Sequence, residues 1–556
     1  MTDSFSATST ETVISPATFD KMTPVIQLGF SDILTYSLGL WLFSKVVKIW
    51  LSRWRGTRAT SLRGPPSESI LFGLSGVLRQ SEDASLLTER WAKEYGSAFR
   101  VPTALGSSRI VLMDPKAVAH FYSKETFGYV QTPLARVFIE NLFGRGVLWA
   151  EGESHRRQRK ALSPAFSNAA IRRLTSVFYD SSYKMKANWD SILDSSTGDG
   201  TAIDVQKWMN HISLDSIGIA GFGHDFGTLD GKHPPVVEVF ESMKPGTSTA
   251  SHFVFLLGPV LPFLLRLPIG DNILWRKLHA TMREIADELL ERTRKEKEGL
   301  LGENGAERSV IGLLIKAENT DTQLQMTGEE VMAQNVLLLA GYETTSISLT
   351  WALIELARKP GKQQKLREEL SQFSGTDPTW EQLASELPYL DSVVHEVLRL
   401  HPPVSDTSRV ATEDDIIPLS TPVVTTSGEI VSTVVVKKGT IVAAPIRAIN
   451  RSEAFWGPSA KEFEPERWLD DADIPAKQIQ GHRHILTFSD GARICLGRNF
   501  ALAEFKAALS VLIRNYTFEL LDGPETKIEN HRSILPRPKV AGQDGAKVPL
   551  RVRRVE

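Results

Sequence analysis

This chain is predicted to be one large, mainly α domain with a smaller β region, preceded by a single N-terminal transmembrane helix. Three observations predict it. Beyond Pro66 no internal repeat, low-complexity linker or long charge block divides the chain, so 67–556 reads as one unit. Helical spacing of apolar residues dominates that unit, and β-type composition is confined to shorter stretches such as 423–444. The segment 24–44, PVIQLGFSDILTYSLGLWLFS, has about the 20 residues a helix needs to cross a hydrocarbon core.

Residues 1–23 are rich in Ser and Thr without a signal-type apolar run, and read as a polar tail. After the 24–44 anchor come Lys45, Lys48, Arg53, Arg55, Arg58 and Arg63, with no acid until Glu68. That bias holds the following chain on the cytosolic side, so the anchor is expected to be single-pass in the endoplasmic reticulum membrane. Asp32 inside the span costs roughly 3 kcal/mol at its centre, which leaves a shallow amphipathic helix lying in the interface as the other reading. The basic stretch 45–66 ends in Arg63-Gly64-Pro65-Pro66, where proline breaks any helix and makes a stiff hinge.

A chain of 556 residues with 42% apolar and 23% charged residues can bury a large core, and a formal net charge of -2 offers no attraction to nucleic acid. Its single cysteine, Cys495, cannot form an intrachain disulfide, which suits a reducing compartment and leaves the thiol free for chemistry. No CxxC pair, HExxH helix or EF-hand loop is present.

Within the body, Thr327-x-x-Glu330 has the form of a capping box, and 328–358 then runs free of proline for about 45 Å. Its middle is apolar except for Gly341, Glu343, Thr344 and neighbouring hydroxyls, where a buried helix normally carries no polar atoms. A second helix, 389–401, stops at Pro402-Pro403. The stretch 423–444 is broken at Ser427-Gly428 and Lys438-Gly439, as hairpins are.

The segment FSDGARICLG, from Phe488 to Gly497, runs into a strongly helical stretch, so Cys495 sits just before a helix. The positive helix end and backbone N–H donors are expected to lower its pKa. Gly491 and Gly497 allow a tight turn and close approach to a flat ligand, and Arg493 can reach an anionic group on it. A buried free cysteine acting as a small hydrophobe leaves the glycines and the arginine without a purpose. This ten-residue segment resembles the cytochrome P450 signature FxxGxRxCxG at every fixed position.

That resemblance implies the cytochrome P450 fold and haem b with Cys495 as axial thiolate, a donor that favours O–O cleavage. Glu396 and Arg399 resemble the family's ExxR pair, with Arg467 in FEPERW as the third member of a structural network. Arg409 resembles a propionate-binding arginine. GESHRRQRK resembles the helix that adds further propionate ligands, except that His155 stands where the family often has Trp, four residues before Arg159. Neutral His155 can donate one hydrogen bond to a carboxylate; a surface basic cluster is the other reading. Ala340-Gly341-Tyr342-Glu343-Thr344-Thr345 matches the oxygen-activation motif: Gly341 makes room for dioxygen, Thr344 hydrogen-bonds the distal oxygen, and Glu343 supplies protons through water. Back-bonding of the Thr pair within the helix is the plain alternative. His482 and His484 read as ordinary polar residues.

The implied reaction inserts one oxygen atom from O2 into a lipophilic molecule, by hydroxylation or epoxidation. No Rossmann or flavin segment is visible, so NADPH electrons are expected from a separate membrane-bound cytochrome P450 reductase, with cytochrome b5 as an optional second donor. A basic face at Arg156, Arg157, Arg159 and Lys160 is a candidate docking patch. The pocket is expected from 132–138, 243–257, 339–344 and 404–407. The overall pattern is most similar to fungal microsomal members, many of which oxidise terpenoids and other secondary metabolites. A haem-thiolate isomerase or dehydratase, which generally lacks the acid–threonine pair, and a haem-based sensor are the alternatives.

Overall fold

The computed structural model describes residues 59–69, 71–242, 326–470, 474–531 and 533–555, together with scattered positions within 36–44 and 276–295. The chain divides into two units, Met1–Thr57 and Arg58–Glu556. The expected membrane helix 24–44 lies outside the described residues apart from helical positions at 36, 37, 39–41 and 44.

In the second unit the described residues are mostly helical. The central helix Val336–Arg358 is buried nearly all round, which suits a core element with almost no polar face. By length and composition 329–358 could cross a membrane, but it runs through the interior of the domain. Helix Val205–Phe222, itself almost wholly buried, lies along it. Helix Arg498–Asn515 packs on the long helix Asn168–Asp194, where Phe178 meets Phe500 edge to face at 4.9 Å.

The capping box forms as expected: the Thr327 hydroxyl accepts from the Glu330 amide at 3.2 Å, and the Glu330 carboxylate accepts from the Thr327 amide at 2.9 Å. The expected continuous helix 328–358 is instead interrupted by a 3-10 turn, Ala333–Asn335. There Gln334 Nε2 donates to the Glu330 carbonyl at 2.8 Å and to Gln158 Oε1 at 3.0 Å, and this side chain competes with the helical ladder. The helix ending before the double proline spans Pro388–Leu400.

The smaller β region holds a five-stranded sheet ordered β1-β2-β8-β5-β3, from Ala98–Pro102, Ser108–Leu112, Ile441–Ala444, Thr407–Ala411 and Tyr129–Gln131. Only β2 and β8 pair in parallel among these strands. β6 (Asp415–Val424) and β7 (Ile430–Val436) form the expected hairpin, with Gly428 at φ 84° in its turn. Register places Arg409 of β5 opposite Gln131 of β3, which fixes where that arginine enters the domain. β4 (Thr201–Asp204), β12 (Pro549–Arg554) and β9 (Tyr516–Leu520) make a three-stranded sheet in that order, and β10 (Ile528–His531) pairs with β11 (Arg537–Val540).

Candidate active site

The cysteine loop is built from backbone contacts. The Cys495 amide donates to the Phe488 carbonyl at 2.7 Å, and Phe488 is buried with its ring edge-on to His482. Gly491 has φ 65°, and a Cβ there would stand 2.2 Å from the Tyr122 carbonyl oxygen, so only glycine fits. The turn itself does not require glycine at Gly497: its φ of -87° is open to any residue, and among protein atoms a Cβ would meet only Phe166 at 3.8 Å. Gly497 contributes its amide, which faces the Cys495 sulfur.

Cys495 is deeply surrounded by protein yet presents exposed surface, a combination that holds for a side chain lining an internal cradle. Burial pushes its thiol up, against the pull of the Gly497 amide, Arg159 and Arg498. This is opposite to the depression expected from the loop alone, because desolvation outweighs the donors.

A cluster of cations stands beside the thiol. Arg493 Nη2 donates to the Ala150 carbonyl and to Glu151 Oε2, each at 2.6 Å. Arg409 Nη1 donates to the Ser408 carbonyl at 3.0 Å, and its Nε lies 3.0 Å from Glu125 Oε1. Arg159 is close enough to Cys495 for their charges to interact. His155 is buried among these groups; desolvation and the charges of Arg493, Arg159 and Arg409 push it down to about 3, so it is neutral. The surface-cluster reading therefore fails for His155. The expected docking patch also divides: Arg157 pairs with Glu330 and Arg159 turns inward, leaving Arg156 and Lys160 exposed.

Burial of the central helix is broken along one stripe, Leu337, Ala340, Gly341 and Thr344, at the spacing that shares a helix face. Thr344 Oγ1 donates to the Ala340 carbonyl at 2.6 Å, so the helix back-bond is made and the hydroxyl oxygen remains an acceptor. A Cβ at Gly341 would stand 2.8 Å from Ile217 Cγ1, so the room left there is taken up by close packing of helix Val205–Phe222. Glu343 is fully buried and meets Arg537 Nε of β11 at 3.2 Å and Ser533 Oγ at 3.5 Å, rather than Thr344. Burial pushes its carboxyl up while Arg537 pulls it down.

Glu396, Arg399 and Arg467 come together. The Glu396 carboxylate accepts from Arg399 Nε and Nη2 at 2.8 Å, from Arg467 Nε and the Glu464 amide at 2.9 Å, and from Trp468 Nε1 at 2.9 Å. Arg399 Nη1 reaches the Asn450 carbonyl, and Asn450 holds Leu486 and Thr487 at the start of the cysteine loop. Spacing alone missed Trp468, although it is the next residue after Arg467. His482 is not an isolated polar residue: its Nε2 lies 3.1 Å from His395 Nε2, and burial pushes it down to about 3. Glu504 of helix Arg498–Asn515 lies beside Ser213 and Thr345 with neither carboxyl oxygen in an aligned hydrogen bond, and burial pushes it well up. The pocket segment 243–257 lies outside the described residues.

An enclosed but open thiol with arginines at one side and an uncovered helix stripe in the same core defines the cytochrome P450 class of protein. The cytochrome P450 family profile matches residues 63–542, and the chain belongs to that family. It is 66% identical to cytochrome P450 monooxygenase claP of Ampulloclitocybe clavipes over 542 residues, covering 96% of this chain and 100% of the relative. Cytochrome P450 monooxygenase 205 of Postia placenta is 36% identical over 510 residues, 89% of this chain and 92% of the relative. Ganoderic acid synthetase of Ganoderma lucidum is 31% identical over 498 residues, 84% and 88% of the two chains. The protein is thus a monooxygenase of the fungal P450 type, and its family implies a haem-thiolate cofactor.

Proposed function

We propose that this monooxygenase holds haem b through Cys495 and inserts one oxygen atom from O2 into a lipophilic secondary metabolite of terpenoid type. The observation that carries the proposal is two breaks in burial, at the thiol of Cys495 in its signature loop and along the Ala340–Thr344 stripe of an otherwise buried helix. The donor set fits the group: Cys495 is the only thiol in the sequence, and Arg159, Arg409, Arg493 and neutral His155 are suited to its two carboxylates. Bound through thiolate, haem supplies dioxygen activation.

The chain's own residues orient and supply protons. Thr344, its hydrogen committed to Ala340, keeps lone pairs at Oγ1 to accept a proton-bearing group. Glu343 carries a proton reservoir at its carboxyl, set by burial against the Arg537 charge. Apolar neighbours along the stripe suit a hydrophobic substrate, and a relative named ganoderic acid synthetase supports a secondary-metabolite class. NADPH electrons come through a separate reductase, with cytochrome b5 as an optional donor. The segment 24–44 anchors the enzyme in the endoplasmic reticulum with its catalytic body in the cytosol.

The test is the carbon monoxide spectrum of the reduced protein, followed by product analysis in a host supplied with a reductase and lipophilic precursors. Wild type gives the red-shifted Soret band of thiolate ligation, and Cys495→Ser loses it. A histidine-type band in wild type, or an unchanged band in Cys495→Ser, overturns the proposal.

A further inference from the structure

One acid in the arginine cluster has no part in the reading above. Glu125 follows helix Pro115–Ser123 and is 1% exposed. Neither carboxyl oxygen makes an aligned hydrogen bond within the described residues, although Arg409 Nε is 3.0 Å from Oε1, and that Nε also has no aligned acceptor. Its neighbour Glu151 is different: Oε1 accepts from the Gln131 amide at 2.8 Å and Oε2 from Arg493. A buried carboxyl whose one close donor is misaligned is costly.

The backbone beside Glu125 is also strained. Thr126, β-branched, has φ 73° and is pinned there: its amide donates to the Tyr129 carbonyl at 2.8 Å, and its carbonyl accepts from the Gly152 amide at 3.0 Å. A poorly aligned buried acid and a strained residue side by side mark a position held for a purpose other than stability. Arg409 meets Glu125 through Nε and Ser408 through Nη1. Its second terminal nitrogen, Nη2, has no hydrogen-bond partner among the described residues and is left for an anion.

Resting on the haem-thiolate reading, we propose that Glu125 is a positioning residue for the cofactor's carboxylates. Protonated, it aims Arg409 at them without competing for its charge; ionised, it draws Arg409 back and loosens the cofactor. The step moves one proton between a Glu125 carboxyl oxygen and solvent, and no electron. The groups facing Glu125 are Arg409 of β5, Arg493 of the cysteine loop, Glu151 ahead of helix Gly152–Leu162, and Tyr122 of the preceding helix. Burial pushes Glu125 up to about 7 against Arg409 and Arg493, with Glu151 acting in the same direction as burial. A cofactor carboxylate at Arg409 is a further anion of that kind. Ionisation therefore spreads through and above neutral pH, and the cofactor is held better on the acid side.

The experiment is transfer of haem from the loaded full-length protein to excess apomyoglobin, from about pH 6 to about pH 8.5. Wild-type transfer is expected to quicken severalfold with rising pH, while Glu125→Gln stays near the slow rate throughout. Wild type loaded with the dimethyl ester of haem, whose carboxylates are masked, is expected to lose the pH dependence, and this arm needs no variant to fold. A flat wild-type profile, a Glu125→Gln profile that follows wild type, or an ester profile that keeps the slope overturns the proposal. The carbon monoxide band recorded at each pH keeps the two readings apart: its loss in wild type counts against thiolate ligation, whereas its presence with unaltered slopes counts against Glu125 alone.

Discussion

Replacing Glu396 with alanine removes the acceptor for five hydrogen bonds at a carboxylate that is fully buried. Arg399, Arg467, the Trp468 indole and the Glu464 amide all lose that partner together. Burial pushes Glu396 up, yet Arg399, Arg467 and the Glu464 amide hold it below its usual value, so the ionised form is the bound one. Breaking a buried ion pair from one side costs about 3–5 kcal/mol, and each further unsatisfied donor about 1–3 kcal/mol. Summed over the Arg399 pair and the three further donors, a loss of about 6–14 kcal/mol follows, comparable with the whole of the roughly 5–15 kcal/mol that domains possess. Unfolding entropy of about 2.1 cal/mol/K per residue over about 500 residues gives roughly 1 °C per kcal/mol, hence a Tm about 6–14 °C lower. The damage is directional, because Arg399 holds Asn450 and Asn450 holds the start of the cysteine loop. Haem content per chain should therefore fall further than helix content by circular dichroism. Glu396→Ala with wild-type Tm and full haem content would refute the reasoning.

Thr344→Ala removes the one hydroxyl on the uncovered stripe of the central helix; NADPH oxidation should continue while product per NADPH falls by roughly tenfold or more, and unchanged coupling removes the role assigned to Thr344. Asp415 is pushed up by burial but held down to about 2 by Lys124, Tyr129 and His120, so its contribution is present above the unfolded value near 3.8 and is lost as pH falls through about 2. Asp415→Asn should therefore cost about 1–2.5 kcal/mol at pH 7, read by denaturant melts, with the gap to wild type closing below about pH 4; a gap that widens on acidification rules this out.

The cysteine loop was legible from sequence because its chemistry is contiguous: Phe488 receives the Cys495 amide and Gly491 makes the turn within a few residues. The ends of helix Pro388–Leu400 and the turns around β7 were legible for the same reason, since proline and glycine act on their own backbone. By itself, then, the sequence determined the helical body, the thiol loop and the Glu396–Arg399 pair. What Glu343 faces, why Gly341 is glycine, and which acids stand at the arginines were decided only by the tertiary structure. Arg537, Ile217, Glu125 and Glu151 each come from elements distant in the chain, and a charge or a contact acts through space rather than along sequence. The thiol's pKa inverted for that reason too: a local motif displays the donors around Cys495, but how much water the fold removes depends on everything packed about it.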